Sequence, residues 1–577
     1  MIRKSENRFS LATNAKRLCG DHAQTRKRDH DPIWSNRIMI SVDRPDMIIE
    51  FRCEREHARH WMCRETLSVN GRDVPVQIAW TATAEPRPAG LEALFELERM
   101  VLRRGQRGGA DKLKIIPERS QAQRYAAAGE PDVIVDFTRA ARDPDCSAQL
   151  YLRPLFNGVP GENAALSAIL AGDLPVLEIV NELDGRVLDR GHPSGEIAAG
   201  LSGALETVMA RTLTMLAAIL SGAPRIVPEL TSSAGESTPQ PATTYVLRGL
   251  ALSIAKEIYR LCCYAPHWHI GWRHSESADV WRTGDLSGPD WKVLGDPGDH
   301  FYADPFPVKW KGRTFVFFED LDHRVGKGII SAVEFDRTGP VENVVPVLEE
   351  PWHLSYPFLI EDNGELWMIP ESSEHRDVAV YKCIRFPDKW ERHCTLLSGL
   401  ELADVTITRH NGMYYLFGAW RDGTGGYSDT LAIFYAEQLF GPWLPHASNP
   451  VLMDRASTRP AGNFVTINGS LWRPVQDCSN GYGAALGLAE VLELSPTAFR
   501  QVVRHSLNPG PAWPGRKLHT LNRCGRLEVI DGSRLQPKTA AFVNGPVSTV
   551  PASSGSGAAP RKPAGSRNAP NSVLAAD

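Results

Sequence analysis

The chain has 577 residues, of which 42% are hydrophobic and 23% are charged. At about 100–200 residues per domain, this length predicts two to four domains rather than a single core. The formal net charge of −4 excludes a chain-wide basic field for nucleic acid. With 48 Gly and 42 Pro, part of the chain is expected to form many short strands and turns.

The sequence predicts a cytoplasmic protein that does not span a membrane. No stretch approaches the roughly 20 apolar residues of a membrane helix, and the longest candidate is 215–220. The N-terminus has basic residues without the apolar core of a secretion signal. Ten cysteines are scattered without metal-ligand spacing, which is typical of reduced thiols.

In chain order, the first half consists of a polar tail and a region of mixed strands and helices. Residues 1–36 are basic and lack periodicity, so they are expected to be a disordered tail, or residues upstream of a misplaced start codon. Residues 37–222 are expected to form an α/β domain. The predicted elements there are helices over 91–104, 162–172 and 204–220 and a buried strand over 131–137.

The second half begins after a linker and ends in another tail. Residues 223–264 combine a Pro/Ser/Thr-rich linker with an amphipathic connecting helix over 247–262. Residues 265–534 lose nearly all helix signals. The last residues, 535–577, are rich in Pro, Ala, Ser and Gly and are expected to be disordered.

Five segments of the region 265–534 can be aligned without gaps on a central glycine, about 50 residues apart. Each reads as a strand, a tight turn and a second strand, and three turns are Asn-Gly, which suits the positive φ angles of a two-residue hairpin. With room for two further strands per repeat, the pattern predicts a five-bladed β-propeller; the alternative is a two-sheet sandwich. The strand-like segment 267–273 is expected to complete the last blade. The segments start at residues 303, 355, 403, 460 and 516.

Several motifs in this region carry a specific resemblance. ADPFP, HLSYPFL, IPES, ADVTI and GPW followed by NPVL resemble the N-terminal domain of plant glucosamine inositolphosphorylceramide transferases and its bacterial relatives. That domain is similar to five-bladed glycoside hydrolases acting on arabinans, xylans and fructans. Three carboxylates face the channel in those hydrolases: one base or nucleophile, one that tunes a pKa, and one acid. The resemblance implies Asp304, Glu371 and Asp404 as the catalytic candidates here.

These three carboxylates are expected at one end of the propeller axis. Asp304 and Asp404 hold the same repeat position, one residue into the first strand. Glu371 ends the second strand of its hairpin, which in an antiparallel pair lies beside the start of the first. The alternative interpretation is that both aspartates cap strand starts by accepting hydrogen bonds from backbone amides.

Blade two departs from the hydrolase pattern, because Tyr356 stands where an aspartate is expected. A phenol cannot replace a carboxylate at neutral pH, so this residue argues against hydrolysis and favours sugar binding. Tyr356, Ser355, Arg459 and His519 are the expected substrate-binding residues.

Residues 147–191 resemble the core of folate-dependent formyltransferases: a Pro-containing loop that ends in Gly, a helix, and LDRG at 188–191. The resemblance implies an α/β, Rossmann-type domain. Those enzymes use an Asn, a His and an Asp; the first two positions hold Ser147 and Gln149, and only Asp189 is retained. Since Gln149 cannot act as an acid or base, the domain is expected to be degenerate and retained for binding or scaffolding.

Together these features predict a multidomain protein, with an α/β formyltransferase-like domain followed by a five-bladed β-propeller. The expected function is carbohydrate recognition in bacterial glycan or glycolipid assembly, with a sugar, glycan or nucleotide-sugar at the axis and a glycosyltransferase as a partner. The alternative is a glycosyl-active hydrolase or transferase that uses the channel carboxylates. No cofactor, metal or nucleic acid is expected, since the charged loop with Asp320, Asp322 and His323 is more typical of solvated residues than of a cation site.

Overall fold

The protein is described by a computed structural model that covers residues 47–538 with gaps. The gaps are 70, 83–85, 88–89, 103–108, 114–129, 224, 231–240, 277–278, 342, 422–424 and 514. The predicted tail 1–36 lies outside the described residues, as do residues 539–577 of the predicted tail 535–577. The predicted domain limits stay predictions.

The N-terminal region is built on one curled mixed sheet. Parallel pairings hold its centre, and antiparallel pairings flank them on both sides. Alternation in the sequence decides the faces: Ile49, Phe51 and Cys53 are fully buried, and the residues between them are half-buried. In spatial order the strands are Thr66–Val69, Arg72–Thr81, Ile49–Glu54, Val133–Asp136, Leu150–Phe156, Leu177–Asn181 and Arg186–Gly191, with Val159–Pro160 paired to Leu150–Phe156.

Few helices accompany this sheet, and the predicted Rossmann-type architecture is not confirmed. The antiparallel strands at both flanks leave no parallel sheet covered by a helix after each strand, which is what a Rossmann-type fold requires. The formyltransferase-like assignment therefore stays a prediction. The helices and short 3-10 turns are Leu91–Val101, Glu162–Ala171, Gly200–Leu220, Arg55–His57 and His60–Met62.

One helix among the described residues, Gly200–Leu220, is long and apolar enough to cross a membrane by length and composition alone. The sequence predicts this helix from residue 204 onward, with 215–220 as its longest apolar stretch. Most of the helix lies inside the protein, since 72% of its apolar window is buried and Leu201, Leu205 and Leu216 are completely buried in the N-terminal core. This burial is that of a core helix in a folded domain.

The predicted connecting helix is present as Ala242–Cys262. It begins after Pro241, whose fixed φ suits a helix start. At its other end the chain enters the short strand Cys263–Tyr264, which pairs with Gln536–Pro537. Residues 536–537 are thus folded back against the start of the second region.

The second region is a five-bladed β-propeller, as the repeat predicts. Each blade is a separate antiparallel sheet whose first strand lies nearest the axis. From the inside outwards, the strands of blade one are His300–Trp310, Arg313–Asp322, Lys327–Phe335 and Val345–Leu348. Those of blade two are Ser355–Asp362, Glu365–Glu371, Asp377–Arg385 and Lys389–Ser398. Those of blade three are Glu401–His410, Met413–Arg421, Thr430–Ala436 and Leu444–Pro445, with Leu452–Met453 also paired to Thr430–Ala436. Those of blades four and five are Val465–Ile467, Ser470–Asp477, Ala485–Leu494 and Phe499–Leu507; and Leu521–Cys524, Leu527–Ser533, Trp268–His274 and Lys292–Val293. Short helical turns are Val280–Thr283 and Ser373–His375.

The inner hairpins turn where the glycine pattern places them. In blade two, Asn363 and Gly364 have φ angles of 52° and 76°, the positive values that a two-residue hairpin needs. Blades one, three and four repeat this geometry. In blade five only Gly525 has a positive φ among the two turn residues, so Cys524 makes a different turn.

The ring closes by joining the two ends of the region, as expected from the segment 267–273. Strand Trp268–His274 pairs antiparallel with Leu527–Ser533 of blade five along its full length. Blade five therefore contains strands from both ends of the propeller sequence. The inner strands of blades five and one then lie side by side, with Asn522 donating to the carbonyl of Pro305 at 2.9 Å.

The two regions are joined by a polar interface at blades three and four. Arg211 of the core helix donates to both carboxylate oxygens of Asp429, at 3.0 and 2.7 Å, and both side chains are completely buried. The chain approaches so closely that a Cβ on Gly425 would lie 1.8 Å from the Arg211 guanidinium. Arg455 adds a second ion pair, to Asp173. These contacts fix the N-terminal region on the propeller.

Candidate functional site

The inner strands of blades one to three each contain a β-bulge at the same repeat position. The pairing register shifts there, and the bulged residues Asp304, Tyr356 and Asp404 have φ angles of 51°, 43° and 54°. Positive φ is uncommon outside glycine and an outlier for an aromatic residue. Such backbone is held only where the surrounding structure dictates it, and it concentrates at functional sites.

The three predicted carboxylates lie at one end of the propeller axis, which we call the mouth: the end at which the inner strands begin. Glu371 pairs with Ser355 across the first hairpin of blade two. Its Oε2 accepts a hydrogen bond from the backbone N–H of Asp404 at 3.2 Å. The Asp304 carboxylate accepts one from the N–H of Tyr356 at 3.3 Å. A carboxylate thus joins blade one to blade two, and another joins blade two to blade three.

Asp304 is only 4% exposed and contacts blade five. Its Oδ1 accepts from Thr520 Oγ1 at 2.7 Å and lies 3.5 Å from His519 Nε2, while its own N–H donates to Asp531 at 2.9 Å. Burial raises the pKa of Asp304 to about 7; the His519 charge opposes this rise, and Asp531 and Asp404 add to it. Asp304 therefore changes charge near neutral pH.

Asp404 is 3% exposed and contacts blade four. Its Oδ2 accepts from Arg459 Nε at 2.5 Å and from Gln476 Nε2 at 3.0 Å. Burial raises the pKa of Asp404 to about 7; Arg459 opposes the rise and Glu371 adds to it. Arg459, expected to bind substrate, is thus also the main partner of Asp404.

Tyr356 lies inside the propeller rather than on the mouth. Its side chain is completely buried, its hydroxyl lies 2.9 Å from Thr406 Oγ1, and it accepts from the N–H of Gly462 in blade four at 2.6 Å. The phenol therefore reaches from blade two to blade four. Ser355, beside it, is also buried. Substrate binding by these two residues stays a prediction.

His519 is contacted by a carboxylate and by an aromatic ring. Its Nδ1 lies 2.6 Å from Asp531 Oδ2, and Trp268 stacks on its ring with a centroid distance of 4.0 Å. Burial alone would lower the pKa of His519, but Asp531 and Asp304 outweigh it and raise the pKa to about 9. His519 is therefore a buried cation at neutral pH.

Aromatic and cationic side chains meet beside these groups. Arg459 lies over the Tyr482 ring at 4.5 Å, and the Lys517 ammonium lies 6.0 Å from the same ring and 5.9 Å from Trp268. Lys517, Tyr482 and Glu371 are half-buried, so each keeps some surface exposed to solvent.

Sequence reasoning missed several residues of this cluster, and the repeat carried a signal for two of them. The position of Glu371 in blade two is held by Glu319 in blade one and Gln476 in blade four. Aligning the second strands as well as the first would have found both. Asp531 is offset by one residue in blade five, and no repeat position marks it.

The N-terminal region also contributes a charge to this end of the axis. Glu196, half-buried in the loop before helix Gly200–Leu220, accepts a short hydrogen bond from Ser428 Oγ of blade three. Burial opposes the charge of Arg459, but Asp404, Tyr482 and Glu196 raise its pKa. No sequence pattern predicts this contact, because it depends on how the two regions pack.

Three buried side chains have a donor set that could hold a divalent cation only after His519 loses its proton. Ligand atoms of Asp304, His519 and Asp531 lie within 4.8 Å of one another, two carboxylate oxygens and one imidazole nitrogen. The hydrogen bonds and ion pairs among these groups already account for their arrangement.

Asp189 is separate from this cluster and has a structural partner. It is 2% exposed, and its Oδ2 lies 2.7 Å from Arg225 Nη2. Burial raises the pKa of Asp189, and Arg225 opposes the rise. Ser147 and Gln149, at the other two positions of the formyltransferase comparison, instead contact Glu130 and Asp132.

Residues 292–531 match the family described as "Glucosamine inositolphosphorylceramide transferase 1, N-terminal". A curated relative of that name from Arabidopsis thaliana is 32% identical over 283 residues, which is 45% of this chain and 37% of the relative. One from Oryza sativa subsp. japonica is 30% identical over 300 residues, 46% of this chain and 40% of the relative. This chain thus spans less than half the length of these relatives. The resemblance expected for the C-terminal region is confirmed, and it supports a glycan- or glycolipid-related role.

Solved structures similar to the chain include glycoside hydrolases. A thermostable family-43 glycoside hydrolase is 12% identical with a TM-score of 0.29, covering 38% of this chain and 84% of that one. A family 117 glycoside hydrolase from Zobellia galactanivorans is 11% identical with a TM-score of 0.31, covering 48% and 98%. Likeness at this level carries no argument about function. The assignment of the five-bladed propeller depends on the strand pairing of this chain alone.

The predicted cytoplasmic location is contradicted by these comparisons. The relatives are named for transfer to inositolphosphorylceramide, and ceramide lipids are constituents of membranes. The lack of an apolar spanning segment and of a signal core in the sequence is not evidence for the cytoplasm.

Proposed function

We propose that the mouth of the propeller binds a sugar that carries a phosphate or a nucleotide, as part of glycan or glycolipid assembly. The observation that carries this proposal is the group of side chains around the half-buried Tyr482 ring, which are the buried Arg459 and the half-buried Lys517 and Glu371. Arg459 and Lys517 both contact the Tyr482 ring, and the Glu371 carboxylate lies at the same end of the axis. An aromatic face, two cations and a carboxylate match a sugar ring, its phosphate and its hydroxyls.

Binding without hydrolysis is the form of this proposal that the side chains support. A hydrolase needs an acid and an ionised partner that both reach the glycosidic bond. Asp304 and Asp404 are almost completely buried, and their oxygens are engaged by Thr520 and by Arg459. In blade two the corresponding residue is Tyr356, which has no carboxylate to offer.

The experiment is titration calorimetry of the full chain against nucleotide-sugars, glucosamine and inositol phosphates. We expect saturable binding to at least one phosphorylated compound, without product formation. Lys517→Met and Glu371→Gln should each weaken it by about tenfold or more, which is about 1.4 kcal/mol. The matched controls are Lys311→Met and Glu361→Gln, exposed residues at the opposite end of the inner hairpins. The proposal fails if no compound binds, or if the controls weaken binding equally.

A glycosyl-active enzyme is the second candidate, and one observation favours it. Two buried carboxyl groups with pKa values of about 7 resemble the tuned groups of general acid–base catalysis. This candidate predicts turnover of an aryl glycoside or nucleotide-sugar that Asp304→Asn and Asp404→Asn each reduce by about two orders of magnitude or more. Turnover that is unchanged in both folded variants would eliminate it.

The N-terminal region is proposed as a scaffold without formyl transfer. The support is Asp189, whose carboxylate is paired with Arg225 inside the protein, and the absence of an acid or base at Gln149. In this role the region positions Glu196 at the mouth. The bacterial setting and the partner glycosyltransferase stay predictions.

A further inference from the structure

Helix Ala242–Cys262 presents an apolar stripe to solvent. Large side chains recur on it at intervals of three and four residues, which places them on one face. They are between 53% and 75% exposed, and no residue of the helix is buried in the described part of the chain. The stripe consists of Leu247, Leu250, Ile254, Ile258 and Leu261.

Both ends of this helix are held by the protein, whereas residues 247–258 between them are exposed on every side. Tyr245 and Val246 pack against the core of the N-terminal region, and Lys538 donates to the carbonyl of Arg260 at 2.6 Å. The helix is therefore anchored with its stripe outward. The stripe runs over about 22 Å of the helix, so it is a continuous apolar strip rather than a scattering of single residues.

The charges around the stripe are mainly positive. Arg248, Lys256 and Arg260 lie on the polar side of the helix, against one acidic residue, Glu257. Lys538 adds a further cation at the C-terminal end. An apolar face bordered by Lys and Arg is the pattern of a helix that lies in the surface of an anionic bilayer.

The helix ends on the same side of the propeller as the mouth. The strand that follows it holds Tyr264, whose ring stacks on His323 at 4.3 Å. His323 donates its N–H to the carbonyl of Asp299, immediately before the inner strand of blade one. The start of that strand leads to Asp304. The C-terminal end of the helix therefore lies near the mouth.

We propose that helix Ala242–Cys262 docks this protein on a membrane that contains anionic lipid, with its axis in the plane of the surface. The stripe inserts among the acyl chains, and the basic residues contact the headgroups. The helix does not cross the bilayer. The arrangement would hold the mouth near lipid-linked material, but the docking does not require the proposed sugar binding.

The experiment is co-sedimentation of the full chain with phosphatidylcholine vesicles, with and without phosphatidylserine. We expect binding that increases with phosphatidylserine and weakens in high salt. L250Q/I254Q/I258Q should reduce the vesicle-bound fraction by more than about tenfold, because it removes apolar area while keeping helix-forming residues. The matched control is L97Q/M100Q/V101Q, three exposed apolar residues of another helix. K256E/R260E should remove only the preference for phosphatidylserine.

Circular dichroism and sugar titration in the absence of vesicles separate this proposal from the previous one. The stripe variant should remain folded and keep its sugar affinity, so a loss of vesicle binding alone supports docking. Failure of the unsubstituted chain to sediment with vesicles overturns the proposal, as does equal loss in the control variant. A dimer that the stripe variant dissociates, without vesicle binding by the original chain, would assign the stripe to a second copy.

Discussion

Arg459 controls the charge of a carboxylate that has almost no access to water. The Asp404 side chain is 3% exposed, and two donors, Arg459 and Gln476, reach the same oxygen. A buried ion pair of this kind is weak evidence for added stability, but removal of one partner is costly because the other charge stays buried.

We therefore expect Arg459→Met to lower the free energy of unfolding by about 3–5 kcal/mol at pH 8. At pH 5 the loss should be smaller, because the pKa of Asp404 is about 7 and its carboxyl group is then neutral. Urea unfolding at both pH values measures this difference. Asp404→Asn/Arg459→Met is the comparison variant, and a loss that is as large at pH 5 as at pH 8 would contradict the argument.

The raised pKa values of Asp304 and Asp404 also predict how stability depends on pH. Between about pH 4 and pH 7 the folded protein binds protons at these groups that the unfolded chain releases, so stability should fall as pH rises through this window. His519 acts in a higher window: its contribution is complete below about pH 6.5 and is lost as pH rises through about 9.

Asp304→Asn should flatten the fall between pH 4 and pH 7 by up to about 1.4 kcal/mol per pH unit, the value for one proton. Chemical unfolding across this range gives the slope. Glu361→Gln, an exposed carboxylate at the far end of blade two, serves as the control and should leave the slope unchanged. A slope in Asp304→Asn equal to that of the unsubstituted chain would show that this group does not titrate there.

At the scale of strands, the predictable part of the fold was the local part. The turn at Asn363-Gly364 is decided by two adjacent residues, and the strands flanking it follow from alternation, so the hairpins and their number could be predicted. The bulge that aims Asp304 into the axis could not be, because its partners Thr520 and Asp531 are on another blade. Side-chain contacts between blades depend on the closed ring.

The inner strand of blade two gives a test of contacts across the axis. Tyr356→Phe should lower the free energy of unfolding by about 1–3 kcal/mol, because the buried N–H of Gly462 loses its acceptor. Thermal or urea unfolding measures the change. Tyr414→Phe is the comparison. The Tyr414 hydroxyl of blade three donates to Asp362 at the hairpin end of blade two, where solvent can replace the lost hydrogen bond. An equal or smaller loss for Tyr356→Phe would contradict a phenol that bridges blades two and four.

For the whole molecule, the interface between the two regions could not be predicted from the sequence. Mixed strands and helices could be predicted for the N-terminal region, but the order of its strands and their directions could not, since both depend on long-range pairing. The ion pair of Arg211 with Asp429 joins residues 218 positions apart, and neither lies in a motif. The exposure of one apolar face of helix Ala242–Cys262 was likewise not predicted, because the sequence pattern indicated only a connecting helix.

Arg211→Met should separate the unfolding of the two regions. It leaves the Asp429 carboxylate buried without its partner, and we expect a loss of about 3–5 kcal/mol and two resolved transitions in calorimetry. Arg211→Met/Asp429→Leu restores an apolar contact and should recover much of the loss. A single transition with unchanged midpoint in Arg211→Met would show that the interface is held by other contacts.

The pairing of Trp268–His274 with Leu527–Ser533 sets the order in which the chain can mature during synthesis. Strand Trp268–His274 leaves the ribosome long before Leu527–Ser533 is translated. It therefore has no partner strand while blades one to four are synthesised. Any nascent chain that stops before residue 527 therefore leaves this strand edge open to self-association.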